Sequence, residues 1–182
     1  MEDKPRLSKE AWLEKSLEIL AVEGARKLTI DHLVKAMGVT KGSFYWHFKT
    51  RADFIICLVE YWADTHTQSL VKELGSISDP AKRLLKLMQI LSEKNHSQFD
   101  ISIMNWGEYE SVAKKKVQAV FDTRMEFLRS VFREIGFKGD ELEMRVHTMV
   151  FFQTLECCQY TKLSKANRLD YVKLRHKMLI TP

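Results

Sequence analysis

The chain is poor in the residues that build disulfide frameworks, collagen or flexible linkers, with 3 Cys, 3 Pro and 7 Gly among 182 residues. Two of the cysteines, Cys157 and Cys158, are adjacent and badly placed to pair with each other. An odd, small cysteine count of this kind fits a reducing, cytoplasmic setting. Long apolar runs are missing too. The longest stretch without a charged side chain, Val146–Leu155, is ten residues, whereas a membrane span needs about 20. The opening residues Met1-Glu-Asp-Lys-Pro-Arg6 lack the apolar core of a secretory signal. No membrane partner is therefore expected. CxxC, HExxH, GxSxG and a Gly-rich phosphate loop are all absent, so the sequence suggests no cofactor and no metal centre. His147 with Cys157 or Cys158, 10 and 11 residues apart, is spread over about three helical turns, too far for a convincing ligand pair.

What is present is an ordinary globular composition, 45% hydrophobic and 29% charged, long enough for one domain or two small ones. A chain of this size buries roughly 70% of its unfolded surface and needs no covalent staple. The net charge of +5 is concentrated in one place. Between Arg26 and Arg51 six basic residues (Arg26, Lys27, Lys35, Lys41, Lys49, Arg51) face one acid, Asp31, and elsewhere 23 basic and 23 acidic groups cancel. A local basic patch on a balanced protein points to a polyanion at one site.

Periodicity and caps predict an all-α chain of about nine helices. The first runs from the N-cap Ser8 to Glu23, with Leu13, Leu17, Leu20 and Ala21 on one face and Gly24 past its end. Thr29 caps a short second helix whose Ile30, Leu33, Val34 and Met37 follow the i, i+3, i+4, i+7 pattern up to Gly38. Thr40 offers the next N-cap, and the third helix, Lys41 to Phe48, is about two turns. Thr50 caps a longer fourth helix through Phe54, Leu58, Tyr61, Trp62 and Leu70 toward Leu74. Asp79-Pro80 is a favoured start for the fifth. A sixth spans about Gln98–Tyr109, and a long seventh ends at Ile135 before Gly136 and Gly139. The eighth runs from Asp140 to about Tyr160 and the ninth from Arg168 to Ile180.

The second and third helices, joined by Gly38-Val39-Thr40, have the form of a helix-turn-helix, which places its second helix in the DNA major groove. A helical wheel at about 100° per residue supports this. Phe44 and Phe48 define an inward face. Gly42 and Trp46 then point outward, with Ser43 and His47 on one flank and Lys41 and Tyr45 on the other. Gly42 permits close approach of a base pair or sugar. Tyr45 and His47 can donate to phosphate oxygens, while Thr29 and Thr40 sit at helix N-termini that favour anions. Lys49 and Arg51 follow close by. These groups would position the protein, leaving Lys41, Ser43 and Trp46 to read base edges.

The segment LTIDHLVKAMGVTKGSFYWHFKTR, Leu28 to Arg51, resembles the DNA-binding signature of the TetR family of bacterial transcription regulators, and the likeness extends over about residues 8–60. The resemblance implies phosphate contacts from Tyr45 and His47, further backbone contacts from Thr29, Thr40 and Arg51, and base-facing positions for Lys41, Gly42, Ser43 and Trp46. It departs from the family in the first helix, at Lys15-Ser16 and at Leu20, where packing rather than DNA contact is concerned.

These readings divide the chain into a DNA-binding head, residues 1–52, and an effector-binding and dimerisation body, residues 53–182. The eighth helix is apolar around most of its circumference (Met149, Val150, Phe151, Phe152, Leu155), so it must be covered on more than one side. The last helix offers a matching stripe of Tyr171, Leu174 and Met178. Two such helices from each chain would form an intermolecular four-helix bundle. Trp62, His66, Met88, Met104, Trp106, Phe127 and Phe151 are the candidate walls of an effector pocket, whose methionines suit an adaptable, largely apolar cavity.

The expectation is a homodimeric, ligand-responsive regulator that is not an enzyme. It would act as a repressor, bound to a pseudo-palindromic double-stranded DNA operator and released by a small, largely apolar effector. Two other classes stay open on the residues alone. One is an interaction protein that keeps the DNA-binding head but works through another protein. The other is a small helical enzyme using His66 or the Cys157/Cys158 region.

Overall fold

A computed structural model describes residues 7–94, 97–155 and 164–182. Among these residues there are helices and turns but no strands, as the periodicity predicts. The expectations that fall on Cys157, Cys158 and the end of the eighth helix near Tyr160 lie outside the described residues.

Helix α1, Lys9–Glu23, starts where the Ser8 hydroxyl accepts the Ala11 N–H at 3.1 Å. It ends at Gly24, whose φ of 83° lies in the left-handed region that glycine adopts at no steric cost. After a 3₁₀ turn, Ala25–Lys27, comes α2, Ile30–Met37. Thr29 caps it through a bond from the His32 N–H, and Gly38 at φ 66° ends it. Helix α3 is Lys41–His47. The Thr40 hydroxyl makes no cap bond to it, unlike those of Ser8, Thr29 and Thr50.

Helix α4 is one unbroken run of Arg51–Ala63, a π-helical turn Asp64–Gln68, and Ser69–Leu74. Its start is a reciprocal cap. Thr50 accepts from the Asp53 N–H at 3.0 Å, and the Asp53 carboxylate accepts from the Lys49 N–H at 3.0 Å. Then follow α5, Pro80–Lys94; α6, Ser97–Tyr109; α7, Ser111–Ile135; α8, Gly139–Leu155; and α9, Lys165–Ile180. Asp79 caps α5 by accepting from the Ala81 and Lys82 N–H groups. Helix α9 begins earlier than periodicity places it, because the Ser164 hydroxyl accepts the Asn167 N–H at 3.2 Å.

By packing, the chain divides into two compact units. One is made by the residues up to Asp64 with Ser102–Gln118, the other by Thr65–Ile101 with Ala119–Pro182. The first unit therefore takes in more than a head ending at residue 52. Phe54, Ile55, Leu58, Val59 and Trp62 of α4 are buried, and α4 packs on α1. Rings centre this core. Phe44 lies 5.6 Å from Trp12 and 5.4 Å from Phe54, both edge-on, and Phe48 lies 5.1 Å from Phe54. The departures in α1 are absorbed by packing. Ser16 is buried but donates its hydroxyl to the Trp12 carbonyl at 2.7 Å, Lys15 turns outward to Glu18, and Leu20 is buried.

The second unit has its own apolar core, with Leu84, Met88, Val131, Phe132, Val146 and Met149 among its buried members. Arg145 on α8 donates to the carbonyls of Met178, Leu179 and Thr181, satisfying the orphan end of α9. His176 reaches from α9 to the Ala81 carbonyl at 2.7 Å. The Arg175 guanidinium lies 3.9 Å over the Phe152 ring, which makes α8 and α9 neighbours.

Candidate nucleic-acid interface and ligand cavity

Helix α3 is placed by its two phenylalanines. Phe44 and Phe48 are fully buried at 0% exposure, while Tyr45 and Trp46 on the same two turns are 54% and 72% exposed. Four residues cannot make that contrast unless one face of the helix is core and the other surface. Gly42 is exposed, and a Cβ there would meet nothing closer than the Thr40 hydroxyl at 3.5 Å. The residue leaves a shallow place on the outer face, although a small side chain would fit. Ser43 is half-buried, and Thr29, Thr40, Lys49 and Arg51 are exposed.

Several of these groups carry bonds that the wheel does not reveal. Lys41 pairs with Asp31 of α2 at 2.6 Å, and that hydrogen bond and its charge hold the ammonium above the usual lysine range. Lys41 is therefore a cation tethered across the turn of the motif. The Thr29 hydroxyl is occupied by its cap bond, so an anion there would meet backbone N–H groups first. His47 Nε2 lies 2.8 Å from the Leu7 carbonyl. A carbonyl only accepts, so Nε2 carries the proton. The neutral ring then has only an acceptor left at Nδ1, and it can donate to a phosphate there only as imidazolium. Arg51 at the start of α4 bonds Glu110 at 2.8 Å. Sequence reasoning did not find Glu110, which lies 59 residues away with no local pattern to mark it.

A cavity lies within the second unit. Counting the open solvent at its mouth, it spans about 610 Å³ of non-protein space. Of the seven residues predicted as walls, His66 and Phe127 line it. Met88 is fully buried in the core of the same unit, and Phe151 is exposed, its ring 5.9 Å from His147. Trp62, Met104 and Trp106 belong to the other unit, where Trp62 and Trp106 are buried and Met104 is partly exposed.

The cavity's polar features come from residues that periodicity did not single out. The Arg124 guanidinium is held by the Asp100 carboxylate at 2.8 Å, the Thr67 hydroxyl at 2.8 Å and the His66 carbonyl at 3.4 Å. Gln153 also lines the cavity. A usable signal for it was its position four residues after Met149 and three after Val150, an amide on an otherwise apolar face. Among the described residues no three His, Cys, Asp or Glu side chains converge as a metal set, and no helix is long and apolar enough to cross a membrane.

The family model for bacterial regulatory proteins of the tetR family matches residues 13–56, which include the buried and exposed faces of α3. Over these residues the chain is similar to the bacterial regulatory proteins of the tetR family. The chain is 32% identical over 91 residues to the transcriptional regulator AcuR of Cereibacter sphaeroides, a match covering 48% of this chain and 40% of AcuR. It is 21% identical over 168 residues to the HTH-type transcriptional regulator SrpR of Pseudomonas putida, covering 89% of this chain and 78% of SrpR. Its fold is similar to the crystal structure of AibR in complex with isovaleryl coenzyme A and operator DNA. That likeness has a TM-score of 0.73 and 14% identity, over 90% of this chain and 95% of AibR. The fold shared with AibR, a helix-turn-helix head followed by a helical body, thus extends over nearly the whole chain.

Proposed function

We propose that this protein is a TetR-type regulator, a homodimeric, ligand-responsive repressor that holds a pseudo-palindromic operator with α3 and lets go when a small, largely apolar effector fills the cavity. The observation that carries the DNA-binding reading is the two-faced α3, rings buried on one side and Tyr45 and Trp46 offered on the other. On that surface Tyr45, Lys49 and Arg51 contact phosphates, along with the N-termini at Thr29 and Thr40. Lys41, Gly42, Ser43 and Trp46 face bases. His47 contributes by fixing α3 to the chain ahead of α1 through Leu7, and contacts phosphate when charged.

Salt titration tests this. Specific binding weakens with a log–log slope of about −0.9 per neutralised phosphate, and an oligonucleotide selection returns a two-fold symmetric site. A flat salt response or no preferred sequence would sink the reading. Tyr45→Phe and Arg51→Ala are expected to weaken binding to all sequences alike, whereas Lys41→Ala also relaxes the preference at particular positions. An unchanged preference in Lys41→Ala would remove Lys41 from base reading.

Arg51 supplies a further test because Glu110 competes with phosphate for it. An exposed pair of this kind is worth about 0.2–1 kcal/mol. Glu110→Gln is accordingly expected to raise affinity for all DNA sequences by up to about fivefold at low salt. A fall in affinity would show that Glu110 aims Arg51 rather than restrains it.

Dimerisation is assigned to α8 and α9. Phe151, Phe152, Tyr171, Leu174 and Met178 are large apolar side chains left exposed on these two helices, an arrangement that marks an association surface. A two-fold axis there sets the spacing of two α3 helices on the operator. The effector acts by population shift. His66 and Thr67 line the cavity from the π-helical turn of α4, and that same continuous helix begins at Arg51. A ligand that favours one setting of the turn therefore biases α4 and the separation of the recognition helices.

A further inference from the structure

We infer that the cavity selects an uncharged molecule with an apolar body and one group that both donates and accepts hydrogen bonds, recognised by the Gln153 amide. This deepens the ligand-responsive reading above and rests on it. Gln153 is 8% exposed, and both its Nε2 and its Oε1 are buried without a hydrogen-bond partner. A buried amide with both ends unsatisfied is costly, and this one stands on the wall of a cavity whose other side chains are mostly apolar, Leu70, Leu87, Phe121 and Met149 among them. The bonds that Gln153 lacks are those a ligand can supply. A ligand group with only an acceptor would satisfy half of the amide. A carboxamide or a hydroxyl can serve both halves.

The charge balance of the wall argues against an ionised ligand. Among the described residues, Arg124 and Asp100 are the charged ones that line the cavity, and they are bonded to each other. The guanidinium also donates to Thr67 and to the His66 carbonyl. A ligand carboxylate would have to displace Asp100 or lie beside its like charge, and a ligand cation would find Asp100 already neutralised. Removing an ion from water without a new partner is unfavourable. The His66 ring, also on the wall, shares a 2.7 Å hydrogen bond with the Thr65 hydroxyl.

Three probes of matched chain length separate these chemistries at pH 8: octanamide, methyl octanoate and octanoate, titrated calorimetrically into full-length wild type and Gln153→Leu. Octanamide is expected to bind wild type about tenfold more tightly than methyl octanoate, with octanoate weakest, and Gln153→Leu to shrink the amide's advantage to about twofold or less. Because leucine removes an unsatisfied amide, the ligand-free variant is also expected to melt no lower than wild type. A preference for octanoate, an amide preference that survives Gln153→Leu, or a lower melting temperature for the variant would overturn the assignment to Gln153 while leaving a ligand-responsive cavity in place. Failure of all three probes to bind at millimolar concentration would overturn both.

Discussion

Phe44→Ala is expected to destabilise the DNA-binding unit by about 3–5 kcal/mol, the usual cost of truncating a buried phenylalanine to alanine. Phe44 is fully buried, and its ring meets Trp12, Phe48 and Phe54 at centroid distances of 5.6, 5.1 and 5.4 Å. These rings come from α1, from the residue closing α3 and from α4, so one side chain joins the elements that hold the recognition helix in place. A small core has few other contacts with which to collapse around the void, and operator binding is expected to vanish with the fold of the unit. Denaturant titration followed by circular dichroism measures the loss. The informative control is Trp46→Ala, two residues away and 72% exposed. It should change stability by less than about 0.5 kcal/mol, as surface substitutions do, yet weaken DNA binding. If Trp46→Ala unfolded the unit and Phe44→Ala did not, the orientation of α3 would be the reverse of the one described.

That contrast also explains why the head was legible from its residues. Its determinants are local: hydroxyl N-caps at Ser8, Thr29 and Thr50, a left-handed glycine at 38, and two phenylalanines four apart that settle which way a short helix faces. The likeness to TetR proteins lies in that same stretch. What could not be read there depends on distant partners. His47 is tied to Leu7, 40 residues away, and Arg51 to Glu110. No spacing rule links such pairs. Thr40 illustrates a different limit, because its side chain is the right type for a cap and yet makes no cap bond.

The cavity was harder to read for a physical reason. Size and apolarity are shared by core residues and cavity walls, and only packing distinguishes them. Trp62 and Met88 are both fully buried, and neither lines the cavity, whereas Phe127 does. The residues that give the cavity its chemistry are polar. Arg124 and Asp100 lie 24 residues apart on α7 and α6, and their pairing becomes apparent only once the helices are packed. The π-helical turn that brings His66 and Thr67 to the wall coincides with a polar run, residues 64–69, that interrupts the apolar stripe of α4, and such a gap looks the same in sequence as a solvated stretch of helix.

The second large effect is expected at the α8–α9 face. Wild-type protein at micromolar concentration should sediment at about twice the chain mass of 21.4 kDa. Phe151→Glu combined with Leu174→Glu should sediment as a monomer. Both side chains are already exposed in the single chain, at 63% and 56%. The carboxylates therefore stay hydrated in the monomer, and its stability should shift by less than about 0.5 kcal/mol per substitution. In the dimer they would be forced into an apolar contact without partners, at a cost of several kcal/mol per ion. Operator binding then separates the causes. Joining two heads makes the second half-site contact intramolecular, a gain of about 10²–10⁴ in avidity. The double variant should lose a comparable factor on the full operator while binding an isolated half-site like wild type. A variant that stays dimeric would place the two-fold axis elsewhere on the chain. One that became monomeric yet kept full operator affinity would show that a single head suffices, and the pseudo-palindrome would no longer be required.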